Sequence, residues 1–115
     1  MSVSAGLKAL RGHCAVSGVG LFGLGEAAGY SEMEILAEAA QRAVADAGLT
    51  MQDIDGICTA SVLSTMWPMP VIEYLGLNPT FVDGTMLGGS SFIAHLMPAI
   101  MALEAGQCNA VLVCY

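Results

Sequence analysis

The sequence has 115 residues, of which 56% are hydrophobic and 11% are charged, and its formal net charge is −7. Soluble domains usually carry about 25% charged residues, so we predict that this chain, at most one small domain, packs within a larger soluble body. With three Lys and Arg residues in total, it lacks the clustered positive charge that nucleic-acid binding requires. Its longest apolar stretch, Phe92 to Leu103, is shorter than the ~20 residues that span a bilayer, so no membrane span is expected.

The cysteines lack the paired spacing that is typical of metal ligands, and most of them lie in apolar, strand-like runs. They are Cys14, Cys58, Cys108 and Cys114. We therefore expect reduced thiols, no disulfide bonds and no bound metal. The start of the chain also lacks an apolar core followed by a cleavage site, so no export signal is expected and a cytoplasmic location is predicted.

The start of the chain is predicted to contain a lead-in, a strand and a loop. Residues 1–12 form the polar lead-in, His13 to Gly20 a short buried strand, and residues 21–30 a glycine-rich loop. The run Gly18 to Gly23 also matches the dinucleotide-binding fingerprint G-x-G-x-x-G. That chemistry requires a helix to begin at once, whereas the next helix signal comes at Ser31, so a flexible turn is favoured over a nucleotide site.

The first helix has the clearest local signal. Ser31 and Glu34 form the S-x-x-E capping box, in which each side chain satisfies a backbone N–H at the helix start. Gly48 supplies the left-handed residue that ends the helix. Between these ends, one apolar stripe at helical spacing contains Ile35, Leu36, Ala39, Ala40, Ala43, Val44 and Ala47.

The later segments alternate between strands and helices. Strands are predicted at residues 56–60, 80–84 and 110–115, helices at residues 71–75 and 91–105, and a capped turn at residues 50–53. The resulting order, β-α-β-α-β-α-β, indicates an α/β fold with a mainly parallel sheet and helices on both of its faces.

The predicted helix at residues 91–105 is apolar on every side and should be kinked by Pro98. Such a helix is typically buried between two layers, and this chain is too short to supply the second layer. The last predicted strand also runs to Tyr115, the final residue. We therefore expect a truncated chain in which residues 13–115 form part of a larger domain.

The turn Gly88-Gly89-Ser90-Ser91 is the main candidate for chemistry. A nucleophile at such a strand-to-helix turn benefits from the helix dipole. Ser90 or Ser91 could attack, but no adjacent base is identifiable, and capping of the helix is the alternative role for either serine. His95 is a candidate general base or a hydrogen-bonded core residue. The apolar run Met66 to Pro70 is predicted to cover a substrate or a partner subunit, or only to pack.

Three segments together resemble the thiolase-like family. They are CAVSGVG at residues 14–20, AVADAGLTMQDIDGICTA at residues 43–60 and GGSSFIAHLMPAIMALEAGQCNAVLVCY at residues 88–115. The nearest branch contains sterol-carrier-protein thiolases, acetyl-CoA acetyltransferases and lipid-transfer-protein aldolases. The resemblance implies a layered α/β/α/β/α fold of two halves, in which residues 13–115 are a truncated N-terminal domain and residues 91–105 lie between the two sheets.

The resemblance also implies a role in lipid metabolism, with a coenzyme A thioester as substrate and no permanently bound cofactor. Members of the family usually form dimers, so a homodimer or hetero-oligomer joined through the strand Thr80–Gly84 is implied. Unpaired strands at sheet edges invite such pairing.

The resemblance places the nucleophilic cysteine of the family at Gly89, counted back from Gly106. Because glycine cannot form an acyl-enzyme, we predict carbon–carbon bond formation or cleavage by an aldolase-type reaction, in preference to the usual acyltransferase chemistry. The alternative is a non-catalytic structural subunit that supports a partner enzyme or a DUF35-like acyl-CoA-binding protein. A dinucleotide-binding enzyme that uses NAD is a third alternative.

Overall fold

The computed structural model describes residue 6 and residues 8–115, so most of the predicted lead-in lies outside the described residues. The elements in chain order are α1 (Glu32–Asp46), a 3-10 turn (Met51–Asp53), β1 (Gly56–Thr59), α2 (Pro68–Leu75), β2 (Phe81–Asp83), α3 (Ser91–Ala94), α4 (Leu96–Glu104) and β3 (Val111–Cys114). The three strands form one parallel sheet in the order β2-β1-β3. This confirms the predicted α/β class. None of the helices described is long and apolar enough to cross a membrane.

Helix α1 follows the predicted signals closely. The Ser31 hydroxyl accepts a hydrogen bond from the Glu34 amide at 3.1 Å, and the Ser31 amide donates to Glu34 Oε1 at 3.2 Å, which completes the capping box. Gly48, just beyond the helix, has a φ of 74°, a conformation that glycine adopts without strain. The buried side of α1 packs against β1, β3 and α2, and this core contains Leu36, Ala40, Val44, Ile54, Ile57, Trp67, Val71 and Leu112.

The strand predicted at residues 13–20 is wrong: this segment is irregular and lies against α1 instead of pairing with the sheet. Its glycines allow the close approach, since a Cβ atom on Gly18 would lie 2.7 Å from the Ala47 nitrogen, and one on Gly20 would clash with the α1 backbone in the same way. The Val19 amide donates to Asp46 Oδ2 at 3.0 Å. A strand needs a neighbouring strand for its hydrogen bonds, and this segment bonds to helix α1 instead.

The helix predicted at residues 91–105 is divided at His95 into α3 and α4. Pro98 explains the division, because it lacks the N–H that would bond to the Ala94 carbonyl four residues earlier. The inner side is buried at Ser91, His95, Ala99 and Ala102, whereas the outer side is exposed, and there the large apolar residues are Phe92, Ile93, Leu96, Met97 and Met101. Within the part of the chain that the structure describes, no helix or strand covers this outer side, in line with the expectation that this chain does not supply the second layer.

Candidate functional site

The candidate site lies where the three parallel strands end, at Thr59 in β1, Asp83 in β2 and Cys114 in β3. Ligands of open parallel sheets typically bind at this edge. The loop at residues 60–67 and the turn at residues 84–90 both begin there. The second of them contains three of the four residues of the predicted turn Gly88-Gly89-Ser90-Ser91, and Ser91 begins α3.

The turn is fixed at its start by Asp83. The Asp83 carboxylate accepts hydrogen bonds from the Thr85 amide at 2.9 Å and from the Thr85 hydroxyl at 2.7 Å. Burial acts to raise the pKa of Asp83, but the two bonds from Thr85 and the nearby His95 ring outweigh it and lower the pKa below its ordinary value. The carboxylate is therefore charged at neutral pH and acts as an acceptor.

Ser91 fixes the other end of the turn. Its hydroxyl donates to the Gly88 carbonyl at 2.7 Å and accepts from the Leu87 amide at 2.8 Å, and the side chain is fully buried. Ser90 is exposed and makes no capping bond to the helix. The predicted capping of the helix is therefore wrong for Ser90, and Ser91 instead stabilises the turn before the helix.

Gly89, at the position that the resemblance assigns to a nucleophile, lies at the open top of the turn. A Cβ atom built there meets no other atom within 4 Å. A larger side chain would fit, so the structure gives no steric reason for a glycine at this position.

His95 lies beneath the turn and is fully buried. Its Nε2 is 2.8 Å from the Thr85 carbonyl oxygen, and its own carbonyl is 4.0 Å from Cys58 Sγ. Among the described residues, Nδ1 has no hydrogen-bond partner. The structure thus brings together His95, Asp83 and Ser91 around one turn, whereas Ser90 points away from the interior.

The thiols near the site are protonated and unsuited to attack. Burial, with a further contribution from the charge of Asp83, raises the pKa of Cys58 to about 12. Burial raises the pKa of Cys114 to about 11. Since the thiolate is the nucleophilic form of cysteine, neither residue is available as a nucleophile. In the described part of the chain, no three His, Cys, Asp or Glu residues come together as a metal site would require.

A cleft of about 580 Å³ lies beside the turn, between the loop after β1 and the start of the turn after β2. Its lining is mostly apolar and consists of Ala60, Ser61, Val62, Leu63, Ser64, Thr65, Met66, Trp67, Pro68, Gly84 and Met86. The predicted apolar run, Met66 to Pro70, therefore supplies part of this wall. Within the run, Trp67 is buried and Pro68 begins α2.

The loop wall of the cleft is tied to α1 by a contact that the sequence did not reveal. The Ser61 hydroxyl donates to Glu32 Oε1 at the start of α1 and accepts from the Leu63 amide at 3.0 Å. Met66, on the same loop, has a φ of 54°, an unusual value for a residue with a side chain. No local pattern links Glu32 with Ser61, because the two are brought together only by the fold.

No family model matches the chain. Two curated proteins are similar to it: 17-hydroxy-3-oxo-4-pregnene-20-carboxyl-CoA lyase of Mycobacterium tuberculosis is 33% identical over 103 residues, 89% of this chain. The steroid side-chain-cleaving aldolase of Thermomonospora curvata is 31% identical over 110 residues, 95% of this chain. The chain spans about a quarter of their length, 26% and 28% respectively.

Solved structures give the same picture. The Ltp2-ChsH2(DUF35) aldolase superposes with a TM-score of 0.75 and 28% identity over 86% of this chain and 26% of that one. A monomeric SCP2-thiolase-like protein of Mycobacterium smegmatis superposes with a TM-score of 0.66 and 27% identity over 84% of this chain and 22% of that one. OleA of Xanthomonas campestris, at 22% identity and a TM-score of 0.66 over 76% of this chain and 28% of that one, shares the fold. The parallel sheet, its helices and these similarities together show that the chain has part of the thiolase-like fold and is similar to steroid side-chain aldolases and to an SCP2-thiolase-like protein.

Proposed function

We propose that this chain is part of a cytoplasmic enzyme of lipid metabolism that makes or breaks a carbon–carbon bond next to the carbonyl of a coenzyme A thioester, without an acyl-enzyme. The observation that carries the proposal is the turn at residues 84–90, which has glycine at its open top and in which neither Ser90 nor the adjacent Ser91 is set up as a nucleophile. The relatives support it, since one is named for a lyase reaction on a CoA thioester and another for the cleavage of a steroid side chain.

The serines predicted as candidates and the buried thiol beneath the turn are unavailable for attack on a thioester. The Ser91 hydroxyl is buried and both donates and accepts within the turn, and Cys58 is buried with a raised pKa. Ser90 is exposed, and among the residues that the structure describes it makes no hydrogen bond to a base that could activate it. An acyltransferase that passes the acyl group through the enzyme, such as an acetyl-CoA acetyltransferase, is therefore disfavoured.

An aldolase-type cleavage needs no enzyme nucleophile. A base removes the proton of the β-hydroxyl group, the bond between the α and β carbons breaks, and its electron pair passes into the thioester enolate, which is then protonated. His95 is buried and its Nε2 is bonded to Thr85, so we expect a residue other than His95 to supply this base. The apolar cleft beside the turn would take the acyl part of the substrate, because it exposes apolar side chains at the edge of the sheet where ligands bind.

The test uses the full-length protein and 17-hydroxy-3-oxo-4-pregnene-20-carboxyl-CoA, the thioester named for the mycobacterial relative. We expect cleavage of this thioester, and an unchanged intact protein mass before and after treatment with hydroxylamine. A hydroxylamine-sensitive acyl adduct that forms and decays at the rate of turnover would refute the mechanism and restore an acyl-enzyme.

The second candidate is a structural subunit that supports a DUF35-like acyl-CoA-binding partner. The name of the similar Ltp2-ChsH2(DUF35) aldolase includes a DUF35 partner, which supports this candidate. The edge strand β2, where Val82 is 44% exposed, offers a strand for pairing in a homodimer or hetero-oligomer. Turnover that appears only when a DUF35 protein is added, and that survives substitution of every residue of the site, would favour this candidate over the enzyme.

A further inference from the structure

The ring of His95 makes one directed hydrogen bond, and the bond fixes its tautomer. Nε2 lies 2.8 Å from the Thr85 carbonyl oxygen, which can only accept. We therefore assign the proton to Nε2, so that the ring donates to the backbone of the turn.

The turn is held on its inner side at three places and is open on its outer side. Asp83 bonds to Thr85 from the sheet, His95 bonds to the Thr85 carbonyl from the helix layer, and Ser91 bonds to Leu87 and Gly88 from the helix start. On the outer side, the exposed residues are Thr85, Met86, Leu87, Gly89 and Ser90. Of the three supports, His95 is the one that comes from beyond the first turn of the helix.

A histidine at this buried position destabilises the folded protein if its only role is to fill space. Among the described residues, Nδ1 is buried without a hydrogen-bond partner, and such an atom destabilises a folded protein. A phenylalanine would fill a similar space without this cost. The residue type is therefore explained by the Nε2 donor and the Thr85 carbonyl that it holds.

Thr85 is followed by Met86, which lines the apolar cleft, and preceded by Gly84, which also lines it. A shift of the Thr85 backbone would therefore move one wall of the cleft. We propose that His95 is a positioning residue, whose Nε2 holds the turn at residues 84–90 so that the cleft keeps the shape that receives the acyl group. The binding of the acyl group in the cleft rests on the proposed function, whereas the hydrogen bond by which His95 holds the turn does not.

The first test measures hydrogen exchange in the full-length protein and needs no substrate. His95→Gln keeps an amide donor near the position of Nε2 and removes the second ring nitrogen, whereas His95→Phe removes both. We expect the amides of residues 84–90 to exchange about tenfold faster in His95→Phe and within about twofold of the original rate in His95→Gln. Unchanged exchange in the α1 peptide shows that the fold is kept. Equal rates in the two variants, or an unprotected turn in both, would overturn the proposal.

A second measurement uses the unaltered protein and does not depend on whether a variant folds. Long-range proton–nitrogen NMR correlations distinguish the two neutral tautomers of His95, and we expect the proton on Nε2. A proton found on Nδ1 alone would remove the donor on which the proposal depends.

The role in substrate binding is tested with 17-hydroxy-3-oxo-4-pregnene-20-carboxyl-CoA. We expect His95→Phe to raise KM by about fivefold with kcat within about twofold, and His95→Gln to restore KM. If the unaltered protein does not cleave the thioester, the proposed function fails, whereas the exchange and NMR results still decide the role of His95 in the turn. A fall in kcat alone, with KM unchanged, would contradict a positioning role at the cleft.

Discussion

The carboxylate of Asp55, the residue before β1, accepts a hydrogen bond from the backbone amide of Asn109, which lies 2.9 Å from Oδ1 and 3.0 Å from Oδ2, just before β3. It also accepts from the Ala110 amide at 2.9 Å. One side chain thereby joins the starts of two parallel strands. Partial burial acts to raise the pKa of Asp55, but the amides of Ala110 and Asn109 outweigh it and lower the pKa below its ordinary value.

This arrangement predicts a loss of stability in acid. A carboxyl whose folded pKa is depressed stabilises the fold above its unfolded pKa of about 3.9, and the contribution is lost as the pH falls through the folded value. We expect Asp55→Asn to lower the free energy of unfolding by about 1–2 kcal/mol at pH 7 and to abolish this part of the acid dependence. Thermal unfolding of the full-length protein and of the variant, followed from about pH 3 to about pH 7, measures the change in the free energy of unfolding and its dependence on acid.

Glu73→Gln is the matched control, since Glu73 is exposed on α2. Its acid dependence should follow that of the original protein. An Asp55→Asn variant that loses stability in acid as steeply as the original protein would show that Asp55 is not the group responsible.

Much of the fold was predictable because its signals are local. The capping box at Ser31, the glycine after α1 and the apolar runs of β1 and β3 each depend on neighbours within one element, and all are confirmed. The segment at residues 13–20 was predicted wrongly because small and β-branched residues are compatible with a strand and with irregular chain packed on a helix. Its contacts with Ala43 and Ala47 are distant in the sequence, so only the fold decides between the two.

Three residues around the candidate turn stand out in the sequence, but their contacts do not. They are Gly89, Ser91 and His95, and the sequence left Ser91 as either a nucleophile or a cap of the helix. The roles are decided by two hydrogen bonds, from the Leu87 amide to Ser91 and from His95 to the Thr85 carbonyl. Both depend on how the turn folds back onto the helix. The apolar run from Met66 to Pro70 pointed to one wall of the cleft, but the contact between Ser61 and Glu32 had no sequence signal.

The packing of the N-terminal segment on α1 is the basis of a second prediction. Gly18→Ala places a methyl group 2.7 Å from the Ala47 nitrogen, closer than atoms pack without a shift of the backbone. We expect the free energy of unfolding to fall by about 1–3 kcal/mol, as is usual for overpacking. Urea denaturation of the full-length protein measures the change. Gly89→Ala, where the added methyl meets nothing within 4 Å, should change stability by less than about 0.5 kcal/mol. Equal effects at the two positions would mean that the segment does not lie against α1.

The two serines of the turn should differ in their effect on stability. Ser91→Ala removes a buried hydroxyl and leaves the Leu87 amide without this acceptor, so we expect a loss of about 1–3 kcal/mol. Ser90→Ala removes an exposed hydroxyl with no capping bond and should change stability by less than about 0.5 kcal/mol. Chemical denaturation of both variants provides the comparison. A larger loss for Ser90→Ala than for Ser91→Ala would reverse the roles assigned to them.

The last prediction concerns the reactivity of the thiols. Cys58 is fully buried and its pKa is raised to about 12, so at pH 8, close to the ordinary pKa of a thiol, it should not react with iodoacetamide while the protein is folded. A cysteine introduced by Gly89→Cys should react readily under the same conditions, because the top of the turn is open. Peptide mass spectrometry after a short exposure to the reagent separates the two sites. Denatured protein, in which both cysteines react, is the control. Modification of Cys58 at the rate of the introduced cysteine would show that the interior beneath the turn is accessible, and that a nucleophile near the site had been overlooked.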